Sequence, residues 1–184
     1  MDRKKKNIVE LTRVSEREYR GMEKFPLAVM TDNVRSLYNV GSLFRVSDAF
    51  KVSELILAGI SGRPPHPEVS KTALGAEDTV AWRWVPDAVE CAVEMQRRGW
   101  KVCVLEQTHN SMDLADFRAG RGERYLLVVG NEVNGVDQRI VDIADHVLEI
   151  PQYGTKHSLN VASSASIAIY VMTTGMADLK TTEK

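Results

Sequence analysis

The chain has 184 residues, 43% of them hydrophobic, enough for one domain with a sizeable core and short for two. Twenty-four Lys and Arg offset twenty-five Asp and Glu, so the net charge of −1 announces no polyanion partner for the chain as a whole. No apolar run approaches the roughly 20 residues of a membrane span, and MDRKKKNIVELTR has no apolar stretch behind its basic start, which reads against a membrane protein or a secretory signal and for a cytoplasmic protein.

Residues 1–25 hold eight Lys or Arg against five Asp or Glu, a local charge of +3. A basic segment on a near-neutral domain fits a nucleic-acid partner, and equally a solubilising tail. Residues 1–24 read as an arm or helix set apart from a single domain over 25–184. PLAVMT (26–31) then reads as a buried strand. In DNVRSLYNVGSLFR (32–45), Asn39 suits a helix N-cap and Arg45 projects from the second turn, half-buried by the flanking Leu43, Phe44 and Val46. The helix runs on through Phe50. ELILAGI (54–60) is a second strand, SGRPPHPE (61–68) a surface loop and TVAWRWV (79–85) a third strand.

PDAVECAVEMQRRG (86–99) reads as a helix with proline in its first turn and Gly99 as its stop. Strands follow at WKVCVLE (100–106) and RYLLVVG (124–130). Cys91 and Cys103 lack metal-ligand spacing and read as buried thiols of a cytoplasmic protein, with no metal site expected. GNEVNGVDQ (130–138) resembles a phosphate loop at first, yet Glu132 sits between its glycines and Asp137 follows, so it would repel an anion. DQRIVDIAD (137–145) is a helix and HVLEI (146–150) a strand. Pro151 ends that strand, and a short loop with Gly154 delivers Ser158 and Asn160 to a last helix. In that helix Val161, Ala165, Ala168 and Met172 share a face, and the small residues 162–165 suit close packing.

Most of these strands are apolar on both parities, as in a sheet covered on both faces, and they alternate with helices. The fold class is α/β with a mostly parallel sheet. Ligands bind such sheets beyond the carboxyl ends of the strands, which selects segments 32–45, 130–136 and 150–160.

NVGSLFR, LLVVGNEVNGV and IPQYGTKHSLNVA, in that order, resemble the motifs of the SpoU class of RNA methyltransferases in the knotted SPOUT superfamily. Twenty residues separate Gly130 from Ile150, and nine more lead to Leu159. With SKTALGAED (70–78) between, the resemblance spans roughly residues 25–176. It implies an S-adenosylmethionine pocket lined by Gly130, Ile150 and Leu159, with Leu105 and Glu106 on its other side. Because the cofactor's sulfonium is positive, the acidic loop is no liability. It implies methyl transfer to a ribose 2′-hydroxyl of RNA, with Arg45 central and Asn39, Glu132, Ser158 and Asn160 assisting. An arginine stays protonated, so Arg45 reads as binding the substrate phosphate and the forming alkoxide, the proton leaving to that phosphate or to water. Glu132 also has a plainer reading, as an acceptor of backbone N–H groups that pins its loop. His157 reads as a loop packing residue or a proton acceptor.

The resemblance further implies a C-terminal trefoil knot built from about residue 124, and a homodimer in which Arg45 serves the opposite subunit. It favours tRNA over ribosomal RNA as the substrate. An RNA-binding module with a dead site is the rival from another class, opposed by the intact Arg45, Glu132, Ser158 and Asn160. A nucleotide-dependent dehydrogenase is opposed by the lack of a G-x-G-x-x-G after the first strand.

Overall fold

The computed structural model describes residues 3–7, 10–11 and 14–181. Its strands are β1 (Phe25–Asp32), β2 (Val52–Ala58), β3 (Trp82–Val85), β4 (Trp100–Leu105), β5 (Met112–Asp113), β6 (Arg124–Gly130) and β7 (His146–Glu149). The helices are α1 (Glu16–Gly21), α2 (Leu37–Ala49), α3 (Pro67–Ala73), α4 (Ala76–Thr79), α5 (Ala88–Arg97), α6 (Gln138–Ile143) and α7 (Val161–Thr181). The strands form one sheet in the order β3-β2-β1-β6-β4-β7-β5, with every neighbouring pair parallel.

Alternation inside each strand builds two cores. Leu27 and Val29 of β1 join Leu55, Leu57, Leu127 and Val129 under α2 and α7. Ala28 and Met30 join Ile56, Val102, Val104 and Leu126 under α5 and α6. A strand covered on both sides has no solvent face, which is why its sequence shows no polar parity. Each fully buried Leu, Val or Ile contributes about 1.5–3 kcal/mol of transfer free energy. Cys91 and Cys103 are buried free thiols. On α7, Val161, Ala165, Ala168 and Met172 are all buried as expected. The small-residue run packs only in part, since Ala162 is buried while Ser163 faces solvent.

Four local readings are corrected. Ser36, not Asn39, caps α2, its side chain accepting from the Asn39 N–H at 3.3 Å. Asn39 therefore sits one turn inside the helix with its amide free for distant partners. Arg45 is exposed rather than half-buried. The buried stripe of α2 is Val40, Leu43, Phe44 and Ser47, and at 3.6 residues per turn Arg45 falls on the opposite side despite its apolar neighbours. The third strand starts at Trp82, not Thr79, because Thr79 closes α4 and donates its hydroxyl to the Asp48 carboxylate at 2.9 Å. In α5 it is Asp87 that caps the helix, with Pro86 just outside it.

Two features position the site. β7 fills the slot between β4 and β5. The link 106–111 therefore passes from one side of β7 to the other near its carboxyl end, where the Glu106 N–H donates to the Leu148 carbonyl at 3.0 Å. Ser111 Oγ donates to the Glu149 carboxylate in the same place. At the amino end of the chain, Ser15 caps α1 in a reciprocal box with Glu18. Tyr19 of α1 is buried and donates its hydroxyl to the Asp48 carbonyl at 2.9 Å.

Candidate active site

The carboxyl ends of β6, β4 and β7 open into a cavity of about 710 Å³, within the usual range for small-molecule sites. Gly130 ends β6, and a Cβ there would lie 2.0–2.3 Å from the backbone of Gly135 and Val136. Only a glycine lets the loop 131–135 fold back this tightly. Asn131 and Gly135 bond each other in both directions, at 3.2 and 3.1 Å. Asn131 Oδ1 accepts from the Val133 and Asn134 N–H groups at 2.8 and 2.7 Å. Glu106 Oε2 accepts from the Val136 N–H at 3.1 Å, and Asp32 Oδ2 from the Asp137 N–H at 2.8 Å.

These bonds explain the acidic glycine loop. The N–H groups of Asn131, Val133, Asn134, Gly135, Val136 and Asp137 are all donated within the protein. A phosphate cradle needs such groups free and aimed at its ligand, so the loop is a wall and not an anion site. Sequence reasoning missed the residues that pin it, Asn131 and Asp32. A polar TDN directly after an apolar strand was the available signal for Asp32. The Glu132 carboxylate bonds instead to a side chain, and accepts from Asn39 Nδ2 at 2.8 Å.

Asn39 is the junction of three segments. Its Oδ1 accepts from Asn160 Nδ2 at 3.0 Å. Asn160 Oδ1 in turn accepts from the Ala162 and Ser163 N–H groups at 3.0 and 3.2 Å, capping α7. The structure thus joins Asn39, Glu132 and Asn160 in one hydrogen-bonded chain. Glu132, Ser158 and Asn160 line the cavity, and so do Leu105, Glu106, Gly130, Ile150 and Leu159. Arg45 does not line it, and neither does Asn39 directly. His157 lines it as well, and its carbonyl accepts from Gln107 Nε2 at 2.9 Å, tying the loop before α7 to the link after β4.

The lining suits a flat, partly apolar, cationic ligand. Leu105, Ile150 and Leu159 supply apolar surface, and Leu159 is 42% exposed, so the wall offers hydrophobic contact that the protein itself leaves unfilled. Glu106, Glu132 and Glu149 supply the acidic groups, and no Lys or Arg is among the residues that line the cavity. Among the described residues no cluster of His, Cys, Asp and Glu could hold a metal ion. No described helix is long and apolar enough to cross a membrane.

Residues 26–170, which contain every strand but the first residue of β1 and the whole of the cavity wall, match the SpoU rRNA Methylase family. The chain belongs to that family. A SpoU relative, the tRNA (guanosine(18)-2′-O)-methyltransferase of Aquifex aeolicus, is 34% identical over 47% of this chain and 40% of its own. The 23S rRNA (guanosine-2′-O-)-methyltransferase RlmB of Ralstonia nicotianae is 28% identical over 82% of this chain and 59% of its own. The matched stretch thus spans less than two thirds of either relative. The crystal structure of the A. aeolicus TrmH/SpoU tRNA modifying enzyme superposes with a TM-score of 0.80 at 26% identity, covering 90% of this chain and 84% of that one. The SpoU methyltransferase AviRb from Streptomyces viridochromogenes, solved in complex with AdoMet, gives a TM-score of 0.74 at 25% identity, covering 88% of this chain and 64% of that one.

Proposed function

We propose that the protein is an S-adenosylmethionine-dependent RNA methyltransferase that modifies a ribose 2′-hydroxyl, acting in the cytoplasm. The observation that carries this reading is the Asn160–Asn39–Glu132 chain beside a cavity with acidic and apolar walls and no free anion cradle. S-adenosylmethionine supplies an electrophilic methyl group on a positively charged sulfur. Gly130, Ile150 and Leu159, with Leu105 and Glu106 opposite, would hold it. The acidic surroundings favour a sulfonium over a phosphorylated cofactor.

The chain's own residues must position a weakly acidic hydroxyl and stabilise its developing negative charge. Asn39 and Asn160 hold the Glu132 carboxylate at the rim, and Ser158 adds a hydroxyl beside them. Arg45 supplies the positive charge, binding the substrate phosphate and the forming alkoxide, and the proton leaves to that phosphate or to water. Because Arg45 is exposed and outside its own subunit's cavity wall, we assign it to the cavity of a second copy in a homodimer. The exposed Ile167 and Tyr170 of α7, with the Phe50–Tyr170 ring contact linking them to the end of α2, the helix that carries Arg45, support a dimer face there. The passage of 106–111 around β7 supports the trefoil knot that the family resemblance implies.

A tRNA is the proposed substrate, supported by the A. aeolicus relative and its structure, with ribosomal RNA as the alternative on the strength of RlmB. The basic segment 1–24 would add phosphate contacts. The test is methyl transfer to bulk tRNA and to ribosomal RNA, with the product nucleoside located by mass spectrometry. The same RNA carrying one 2′-deoxy nucleotide at the located position should accept no methyl group. Undiminished methylation of that RNA would move the target to a base atom.

A further inference from the structure

The carboxyl rim of the sheet divides into two halves of opposite character. Around the cavity, the ends of β4, β6 and β7 and the segments after them carry Glu106, Glu132, Asp137 and Glu149 against a single Lys156. After β1 and β2 the residues are different. Asp32 ends β1 with its carboxylate engaged by Asn33 Nδ2 and the Asp137 N–H, and beyond it segments 33–47 and 59–67 contain Arg35, Arg45, Arg63 and His66 and no Asp or Glu. The segment after β3 has Asp87, whose carboxylate is engaged in capping α5, accepting from the Glu90 N–H at 2.9 Å.

This basic half ends in a fixed aromatic surface. Trp84 of the edge strand β3 is 43% exposed, and its indole N–H donates to the Gly59 carbonyl at 2.9 Å. The Arg63 guanidinium carbon lies 4.6 Å from the centroid of the Trp84 ring. Neither Arg63 nor Arg35 makes an ion pair with a described residue, and both are exposed. Ile60 beside them is 60% exposed.

A continuous series of hydrogen bonds joins this surface to the cavity loop. Asp32 accepts from the Asp137 N–H and, at 2.7 Å, from Asn33 Nδ2. Asn33 Oδ1 accepts from the Ile60 N–H at 3.1 Å, and Gly59 holds Trp84. Ser61 Oγ accepts from the Val34 N–H at 3.0 Å, bracing the same two loops. β3 lies three strand spacings from β6, roughly 14 Å, so Trp84 is held at a set distance from the cavity mouth.

We propose that the rim of β1, β2 and β3 is a binding surface for RNA flanking the target nucleotide. An unpaired base stacks on the Trp84–Arg63 pair, and the outer N–H edges of Arg63 and Arg35 meet phosphates. Every base has a π-face, so an aromatic–guanidinium surface accepts unpaired nucleotides without reading sequence. Two exposed arginines without carboxylate partners are the complementary charge for a phosphate backbone. The Trp84 indole is already held by its bond to Gly59, so its ordering costs little on binding. The proposal deepens the methyltransferase reading and rests on it.

The test is a titration of the full-length protein with a fluorescently labelled, unstructured RNA oligonucleotide of mixed sequence. Trp84→Ala should weaken binding about tenfold, while Trp84→Phe, which keeps a π-face, retains most of the affinity. Arg63→Ala should reduce the slope of log affinity against log salt by about 0.7 for each lost phosphate contact. S-adenosylhomocysteine binding by calorimetry should be the same in all three variants and in the wild type. Wild-type RNA affinity in Trp84→Ala overturns the proposal. Equal weakening by Trp84→Ala and Trp84→Phe also overturns it, since the lost Gly59 bond would then be the cause. A change of oligomeric state in Trp84→Ala makes the patch a protein contact and overturns it as well. Failure of the wild type to bind S-adenosylhomocysteine or transfer methyl would strike the methyltransferase reading instead, and is distinguished by those two assays.

Discussion

Asn39 Nδ2 donates to the Glu132 carboxylate at 2.8 Å across 93 positions of sequence, while its own oxygen accepts from Asn160 at 3.0 Å. A single amide therefore sets the position of an acid on one loop and a helix cap on another. Removing it should disturb geometry before it disturbs the fold.

Asn39→Ala is expected to lower methyl transfer about 100-fold, the scale on which a positioned polar group acts in a site of this kind. Its stability cost should be only about 1 kcal/mol, because Glu132 and Asn160 can turn to water. Asn39→Asp should cost more, by setting two carboxylates together, and adding Glu132→Gln should recover part of that stability. Thermal melts of the two single variants and the double variant measure the coupling. Additive effects would mean that the bond contributes nothing.

Gly130→Val should abolish or sharply weaken S-adenosylhomocysteine binding. The added Cβ meets the backbone of Gly135 and Val136, which cannot rotate away as a side chain can. The loop must shift outward and the cavity wall with it, at a stability cost of about 1–3 kcal/mol. Calorimetry giving wild-type affinity would remove Gly130 from the cofactor site.

The exposed position of Arg45 leads to a mixing test. Arg45→Ala and Asn160→Ala should each be inactive as homodimers. In a mixed dimer with shared sites, one site holds both intact residues and the other both defects, so activity returns to about half the wild-type level. Subunits must be exchanged by co-expression, with the mixed dimer verified. No recovery would place Arg45 in its own subunit's site.

Alkaline pH offers a check on α1. Burial, with the nearby Asp48 charge adding to it, pushes the Tyr19 hydroxyl up to about 12. Burial likewise pushes Tyr125 to about 12, with Glu123 contributing. An unfolded tyrosine titrates near 10. The folded state thus holds these protons more tightly, an advantage fully present below about pH 10 and lost as pH rises to about 12. Melting temperature should fall across that window. Tyr19→Phe should start lower, through loss of the bond to the Asp48 carbonyl, and fall less steeply. An unchanged slope would mean that Tyr19 is not buried against α2.

By itself, the sequence determined the elements whose causes are local. Apolar residues on both parities of 26–31 and 124–130 specify strands covered on both faces, and the 3.6-residue spacing of Val161, Ala165, Ala168 and Met172 specifies the buried face of α7. The ordered motifs around Asn39, Gly130 and Asn160 also carried the family and the set of residues that gathers at the cavity. Tertiary structure decided how those residues are used. Ser36 and Asn39 are comparable caps, and only the arrival of Glu132 and Asn160 beside α2 settles which one caps and which one bonds across the fold. Glu132 and Glu106 are both loop carboxylates in sequence, yet the Val136 and Asp137 N–H groups go to Glu106 and Asp32 because the sheet order sets β6 between β1 and β4. Propensity and periodicity act within a few residues of chain, whereas these pairings depend on which strands become neighbours, and that order follows from burying both faces of the whole sheet at once.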